Sequence, residues 1–286
     1  MSEIADANSL RGAKFQELMG KSKTWVFLGV GCLAAAGVGM IGGVILALIL
    51  FVSAFLVGIG IVFWVADHRS AQAFFEAYAE ARGLTKWKAK SLAGSTPLLR
   101  KGDKQRVDVL FEGELAPGLE GQLALWTFIV ESRDSKGNKT EVNYPFTLVL
   151  FSLPETLQTV RDLRVQRKSG LKALERVEDA FRRGHERVTL ESEAMRDKYE
   201  IFRGKDEDEV WIRRLFSPSF IVWMSETPPE KFAFELENGW LCAYVPKHRD
   251  SVDGLDEMTA VGTAVAARIR DEVAQTSPAT ERETSK

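Results

Sequence analysis

The hydrophobic pattern begins with one uninterrupted apolar block near the N-terminus. No Asp, Glu, Lys or Arg occurs over residues 24–66, a run of 43 residues. A single helix of that length would reach about 65 Å, whereas the hydrocarbon core of a bilayer is about 30 Å thick. Two crossings joined by a tight turn fit this length, so the pattern predicts a transmembrane helical hairpin over 24–66.

Glycines and tryptophans set the limits of the two predicted helices. Glycine permits the backbone angles of a reversal, and four glycines cluster at the middle of the block: Gly37, Gly39, Gly42 and Gly43. We therefore expect the first helix near 25–40 and the second near 44–65. Trp25 and Trp64 lie at the outer ends. Because tryptophan favours the membrane interface, both are predicted membrane-interface residues on one side of the bilayer.

Positive charges flank the block on both sides. They are Arg11, Lys14, Lys21 and Lys23 before it, and Arg69, Arg82, Lys86, Lys88 and Lys90 after it. The positive-inside rule then predicts a multi-pass protein of the inner (plasma) membrane with two spans and both termini in the cytoplasm. A cleaved signal peptide is the alternative, since residues 34–36 imitate a cleavage site. The apolar region of a signal peptide has about 7–15 residues and ends at the cleavage site. Here the apolar run continues for 30 residues beyond residue 36.

Small residues in the block have two interpretations. Gly39 and Gly43 form a G-x-x-x-G pair, and such pairs let transmembrane helices approach closely. The pair either packs the hairpin on itself or joins copies of the chain in a homo-oligomer. The block holds no ionisable side chain, which argues against transport through the hairpin itself.

The remainder of the chain shows strand and helix patterns without a regular β-α-β rhythm. Residues 121–130 are apolar on both faces and predict a central strand. Residues 106–115 predict a strand with Val107, Val109 and Phe111 on one face. Pro145 in the run 142–151 favours an edge strand or a strand start, and 135–139 reads as the hairpin loop before it.

The second half of the chain contains the clearest local signal. Asn238-Gly239 predicts a two-residue hairpin that pairs Leu236 with Leu241, Phe234 with Ala243 and Phe232 with Val245. Helices are predicted over 171–183, from the acids at 206–209 to 216, from Ser217-Pro218 onward, and over 251–273. In the last of these, five apolar residues form a stripe on one side: Leu255, Met258, Val261, Val265 and Ile269. The class is α+β. We expect a cytoplasmic N-terminal segment (1–23), the hairpin (24–66), one α+β domain (67–275, with a split near 155 as the alternative) and a disordered tail (276–286).

Charge and motifs exclude several functions. The net charge of −2 argues against a nucleic-acid binder, and two cysteines do not make a disulfide framework. The sequence has no P-loop, G-x-S-x-G or dinucleotide motif and no zinc-type ligand spacing. We therefore assign no catalytic, cofactor-binding or metal residues. His185 is interpreted as a solvated loop residue, and nothing aims His248 at Cys242 to form a thiol–imidazole dyad.

A basic stretch follows the predicted membrane segment. Residues 86–106 hold seven Lys or Arg and one acid. Such a stretch contributes about 1 kcal/mol of attraction per charge at an anionic membrane surface. The candidate anionic-lipid contacts are Lys86, Lys88, Lys90, Arg100 and Lys101. The alternative is that these charges only enforce topology and solubility.

Several phrases resemble those of a group of uncharacterised, membrane-anchored bacterial proteins common in actinobacteria. They are FFEAYAEARGL, TPLLRKGDKQRVDVLFEGEL, VTLESEAMRDKYEIFRGKDEDEVWIRRLFSPSFIVWM and FELENGWLCAYV. The resemblance covers about two-thirds of the chain and implies a short hairpin anchor followed by one α+β domain. It implies no activity and no functional residues.

The sequence therefore predicts an integral membrane protein without an assigned reaction. The first hypothesis is a membrane-tethered module that binds or regulates a protein partner at the inner membrane face. The alternatives are an anionic-lipid or membrane-surface binding module that uses the 86–106 stretch, and an enzyme whose site the motifs do not reveal. We expect no cofactor.

Overall fold

The computed structural model describes residues 16–17, 20–88, 90–133, 137–168 and 184–276. The chain forms two compact units, Met1–Arg82 and Gly83–Lys286. The predicted helix 171–183, residues 135–136 of the predicted loop, residues 277–286 of the predicted tail and most of the N-terminal segment lie outside the described residues.

The first unit is a helical hairpin, as the apolar block predicted. Helix α1 spans Ser22–Gly39 and helix α2 spans Val44–Ala81, joined by a 3-10 turn over Met40–Gly42. The turn closes at Gly43, whose φ of +101° is in the left-handed region where glycine has no steric penalty.

The helices of the hairpin pack closely at glycines. A methyl group built on Gly39 would lie 2.7 Å from the backbone nitrogen of Ala47, and one on Gly58 would collide with the side chain of Leu28. Leu28, Cys32 and Ala47 are buried in this seam. The Gly39 contact supports the interpretation in which this glycine packs the hairpin on itself.

Helix α2 is longer than the hydrophobic pattern predicted. That pattern placed its end near 65, which was wrong because α2 runs unbroken to Ala81. Loss of hydrophobicity does not end a helix. The residues after 66 include no glycine or proline until Gly83, so nothing in the backbone stops it earlier.

The second unit is built on one nine-stranded antiparallel sheet. Within the described residues its strands are β1 Thr85–Trp87, β2 Lys104–Ala116, β3 Leu119–Arg133, β4 Lys139–Ser152, β5 Asp162–Arg167, β6 His185–Val188, β7 Tyr199–Gly204, β8 Ala233–Glu237 and β9 Trp240–Pro246. Their spatial order is β1-β2-β3-β4-β9-β8-β5-β7-β6. Strands from both sides of residue 155 thus lie in the same sheet, and with the helices they confirm the α+β class.

Four described helices accompany the sheet: α3 Glu193–Lys198, α4 Glu209–Leu215, α5 Pro218–Glu226 and α6 Val252–Thr276. Their N-terminal caps follow the sequence signals. The Asp208 carboxylate accepts from the Val210 N–H at 2.8 Å, and the Ser217 hydroxyl accepts from the Phe220 N–H at 3.4 Å with Pro218 at the first helical position. Helix α6 also includes residue 276, which the sequence placed in the tail.

The two faces of the sheet are covered differently. We call the side bearing Cys242, Leu148 and Trp126 the cysteine face; the buried pair Leu98 and Leu99 packs there. The opposite side, the helix face, receives α6: a methyl group built on Gly262 would lie 3.1 Å from Val149 Cβ. The predicted stripe of α6 is buried, as expected: Leu255, Met258, Val261, Val265 and Ile269.

The Asn238-Gly239 hairpin has the register that the sequence predicted. Leu236 pairs with Leu241, and Phe234 with Ala243. Both turn residues have positive φ, 49° and 80°, as a type I′ turn requires.

A β-bulge in β2 overturns one predicted face. Val107 pairs with Trp126 and Val109 with Leu125, so Asp108 is the extra residue. The bulge turns Val107 to the cysteine face, away from Val109 and Phe111. The three side chains therefore do not share a face.

Pro145 lies inside β4, an interior strand that begins at Lys139, so the prediction of an edge strand or a strand start was wrong. Its position still has a physical reason. Pairing with β9 begins only at Phe146, and the Pro145 carbonyl accepts the Lys247 N–H at 2.7 Å. The missing N–H of proline thus falls where the ladder with β9 ends.

Candidate functional site

The apolar parts of helices α1 and α2 expose many of their large side chains. Two stretches, Thr24–Gly42 and Val44–Val62, are long and apolar enough to cross a membrane. Ile41 and Ile45 are among the most exposed side chains, at 90% and 77%. Trp25, a predicted interface residue, is exposed at the start of α1, whereas the Trp64 side chain lies outside the described part of the chain.

Part of the basic stretch is engaged with acids of the sheet. The Lys90 ammonium is hydrogen-bonded to Glu112 and sits 4.5 Å from the ring centroid of Trp87. The Lys90 hydrogen bond lowers the pKa of Glu112. Lys90 is thereby held on the protein.

Arg100 is held in the same way on β8. Its two terminal nitrogens donate to the Glu237 carboxylate at 2.5 and 2.9 Å. This pair raises the pKa of Arg100. The other predicted lipid contacts differ in exposure: Lys88 is exposed, and Lys86 and Lys101 are half-buried.

Glu235 is a buried carboxylate on the cysteine face, opposite Cys242 in the β8–β9 register. The Leu98 N–H donates to it at 2.6 Å, which fixes the 3-10 turn Leu98–Arg100 over the sheet. Burial raises the pKa of Glu235, and burial beside this carboxylate raises the pKa of the Cys242 thiol well above its usual value. The neutral thiol is a poor nucleophile.

The structure does not bring Cys242 and His248 together. Cys242 pairs with Leu150 of β4. His248 Nε2 instead lies 3.3 Å from Thr127 Oγ1 and 3.5 Å from an Asp108 carboxylate oxygen. Thr127 pairs with residue 145, five positions along β4 from Leu150, or about 16 Å at 3.3 Å per residue.

His185 is not a solvated loop residue, so that interpretation was wrong. It begins strand β6, and its Nε2 lies 2.5 Å from the Asp162 carboxylate. The side chain is 12% exposed. A lone His-Glu pair after a glycine carries no pattern from which this strand could be read.

A cavity of about 420 Å³ opens between the segment 91–100 and strands β2 and β3. Its apolar part is formed by Leu92, Leu99, Val107 and Trp126. The polar residues that border it are Ser91, Ser95, Gln105 and Arg100. Arg106 also borders it, but it pairs with Thr127 and directs its side chain to the helix face, onto Asp108. Sequence reasoning missed this cavity because it joins residues from three separate segments, and its only local signal was the basic stretch.

Among the described residues, no group of three or more His, Cys, Asp or Glu side chains could hold a metal ion.

Comparison with known proteins gives one distant structural likeness. No family model and no curated protein matches the chain. The crystal structure of the mycobacterial trehalose monomycolate transport factor A, TtfA, is similar at a TM-score of 0.42 and 10% sequence identity. The similarity covers 69% of this chain and 91% of that chain.

Proposed function

We propose that the chain is an integral membrane protein, anchored by the α1–α2 hairpin, whose sheet domain binds a protein partner at the inner face of the membrane. The exposed apolar surface of the hairpin carries the proposal. A core helix of a soluble protein buries such side chains, and soluble surfaces rarely expose apolar patches above a few hundred Å². Only 17% and 6% of the two apolar stretches are buried. Exposed apolar side chains are stable against lipid tails but costly in water.

A projecting two-stranded β-ribbon favours the proposal that the domain binds a protein partner. Strand β2 pairs with β3 only as far as Ile129, and β9 pairs with β4 only from Phe146 onward. Residues 130–133 and 139–143 therefore form a two-stranded ribbon beyond the described neighbouring strands. Such a ribbon is marginally stable alone, and it exposes Val142 at 45%.

Photo-cross-linking in native membranes tests the partner. A photoreactive amino acid replaces Val142 in the full chain, and the matched control replaces Val210, an exposed valine of α4. We expect one recurrent heterologous protein to be linked at Val142 in near-equal amount and not at Val210. Links only between copies of the chain, or equal links at both positions, would contradict the partner proposal.

A second candidate function is binding of an anionic membrane surface through β1. Trp87 is 41% exposed and stands between Lys86 and Lys88, and indole rings favour the interface. The test uses the full chain with a fluorophore on Thr85→Cys, since both native cysteines are buried. A blue shift in nanodiscs of phosphatidylglycerol but not phosphatidylcholine is expected, and Lys86→Glu with Lys88→Glu should remove it. Reversal at Lys90 or Arg100 is avoided because it would break an ion pair.

A further inference from the structure

Strand β2 has an outer edge that is only partly covered. On its inner side β2 pairs with β3 from Lys104 to Ala116, whereas on its outer side β1 pairs with residues 110–112 alone. Residues 104–106 are exposed, and no described strand pairs with the outer side of residues 104–109. Because the N–H and C=O groups along a free edge are a template for another strand, this part of β2 can accept one.

The cavity of about 420 Å³ lies along this edge. Gln105 and Val107 border it from β2, and Trp126, which pairs with Val107, borders it from β3. Leu92 and Leu99 border it from the segment 91–100. A strand added to the edge would direct every second side chain to this face of the sheet. An apolar side chain at such a position suits the four apolar residues of the cavity.

Arg106 serves the opposite face of the same edge. Its side chain is 57% exposed, and its Nε donates to Asp108 Oδ1 at 2.5 Å. This is its only hydrogen bond to the described residues, so both terminal nitrogens remain for another acceptor. Their fork matches the two oxygens of a carboxylate. An acidic residue next to the apolar one in the added strand would therefore meet Arg106.

Protection against aggregation explains only part of this edge. Charged side chains and bulges commonly protect a free edge, and Lys104, Arg106 and the bulge at Asp108 fit that role. The cavity contributes nothing to such protection. A second copy of the chain is a poor occupant, because pairing two β2 edges would bring Lys104 and Arg106 of both copies onto one face, where like charges repel.

We infer that the outer edge of β2 binds an extended segment of a protein partner in which acidic and apolar residues alternate. The apolar side chain enters the cavity, and the neighbouring acidic side chain binds Arg106. Edge addition of this kind takes its affinity from main-chain hydrogen bonds and its specificity from pockets for alternate side chains. This binding mode rests on the proposed function, because it describes the segment through which the partner binds.

Fluorescence anisotropy with the full chain in detergent tests the edge. The probe is a fluorescein-labelled hexapeptide of alternating Glu and Val, and saturable binding is expected. The same peptide with an N-methylated backbone should bind at least about tenfold more weakly, because it cannot donate main-chain hydrogen bonds. A peptide of alternating Lys and Val should also bind more weakly, because it meets Arg106 with a like charge.

Variants of the chain separate the two contacts. Arg106→Gln should weaken binding of the Glu-Val peptide by about tenfold, because a charge-assisted fork is lost. Its matched control is Arg133→Gln on the exposed end of β3, which should change the affinity by less than about twofold. Ser91→Trp, which fills the cavity mouth and removes no charge, should abolish binding, whereas Ser91→Ala leaves the cavity open and should bind as wild type does.

The edge assignment is overturned when the Glu-Val peptide does not bind, when the N-methylated peptide binds equally well, or when Ser91→Trp leaves the affinity unchanged. Dimers of the full chain that the peptide dissociates, measured by sedimentation, would assign the edge to a second copy instead. Cross-linking at Val142 fails or succeeds separately. A heterologous link there without peptide binding keeps the proposed partner and removes only this edge, whereas peptide binding without that link contradicts the partner contact at the ribbon.

Discussion

Replacing both Val52 and Leu56 by arginine distinguishes an α2 that spans a bilayer from an apolar helix in water. Both side chains face outward, with 48% and 63% exposed. The apolar stretch Val44–Val62 has 19 residues and spans about 28 Å. Val52 and Leu56 lie about 12 and 18 Å along it, within about 4 Å of its middle.

The expected change in the free energy of membrane insertion follows from that depth. Fourteen of the 19 residues are Leu, Ile, Phe or Val, which favours insertion by at most about 4–8 kcal/mol at about 0.3–0.6 kcal/mol each. Two central arginines cost about 6 kcal/mol and remove about 1 kcal/mol of the favourable contribution. Insertion then becomes nearly balanced. In water, the same exposed substitutions change stability by only about 0.5 kcal/mol each.

Carbonate extraction of membranes provides the assay. We expect the wild-type chain to stay in the pellet and the Val52→Arg, Leu56→Arg variant to lose a large part of its pelleted fraction. The matched control is Val210→Arg with Val222→Arg, two exposed valines on α4 and α5, which should leave the pelleted fraction unchanged. A wild-type chain that carbonate releases, or an α2 variant pelleted as fully as wild type, would refute the reasoning.

Three further predictions address the packing and the buried groups. Burial raises the pKa of Glu235, so the folded chain holds this proton more tightly and its stability falls as pH rises from the ordinary value of 4.5 toward the raised pKa. Glu235→Gln should therefore be more stable than wild type at pH 7 in denaturant titrations, with the difference vanishing below pH of about 4; a difference that grows toward acid would contradict the sign. Gly39→Ala should lower the stability of the detergent-solubilised chain by about 1–3 kcal/mol through overpacking against Ala47, as measured by thermal circular dichroism. Gly60→Ala, which has open space around it, serves as its control and should be neutral or stabilising. Cys242, fully buried, should resist maleimide in the folded chain and react after unfolding in detergent; rapid labelling of the native chain would disprove its burial.

Sequence patterns predicted the elements whose signals are local. The apolar block predicted the hairpin because its length excludes one or three crossings. Asn238-Gly239 predicted both the turn and the register, since a two-residue loop fixes every pair that follows. The α6 stripe was readable because a long amphipathic helix repeats its signal several times.

Elements whose structure depends on contacts with distant parts of the chain could not be predicted from local sequence patterns. Strand β5 has the sequence DLRVQR, whose alternation is too short to stand out, and its place in the sheet depends on β7 and β8. Asp108 in the β2 bulge is hydrogen-bonded to Arg106 and Thr127. Counting every second residue along the strand cannot detect the extra residue, so it placed Val107 on the wrong face.

The candidate site was the least predictable part. The basic stretch was visible, but its pairing with Glu112 and Glu237 depends on residues up to 137 positions away. Lys90 and Arg100 are therefore engaged with acids of the sheet, whereas Lys88 stays exposed. Charge density along the chain does not report which charges remain available after folding.

The strand order also has a consequence for synthesis on the ribosome. The β9 edge that pairs with β4 begins at Trp240, whereas β4 ends at Ser152. At about 5–20 residues per second, translation of the intervening chain takes about 5–20 s. During that interval the apolar edge of β4 has emerged without its partner. A nascent chain stalled before β9 would thus be the form most prone to aggregation and in greatest need of a chaperone.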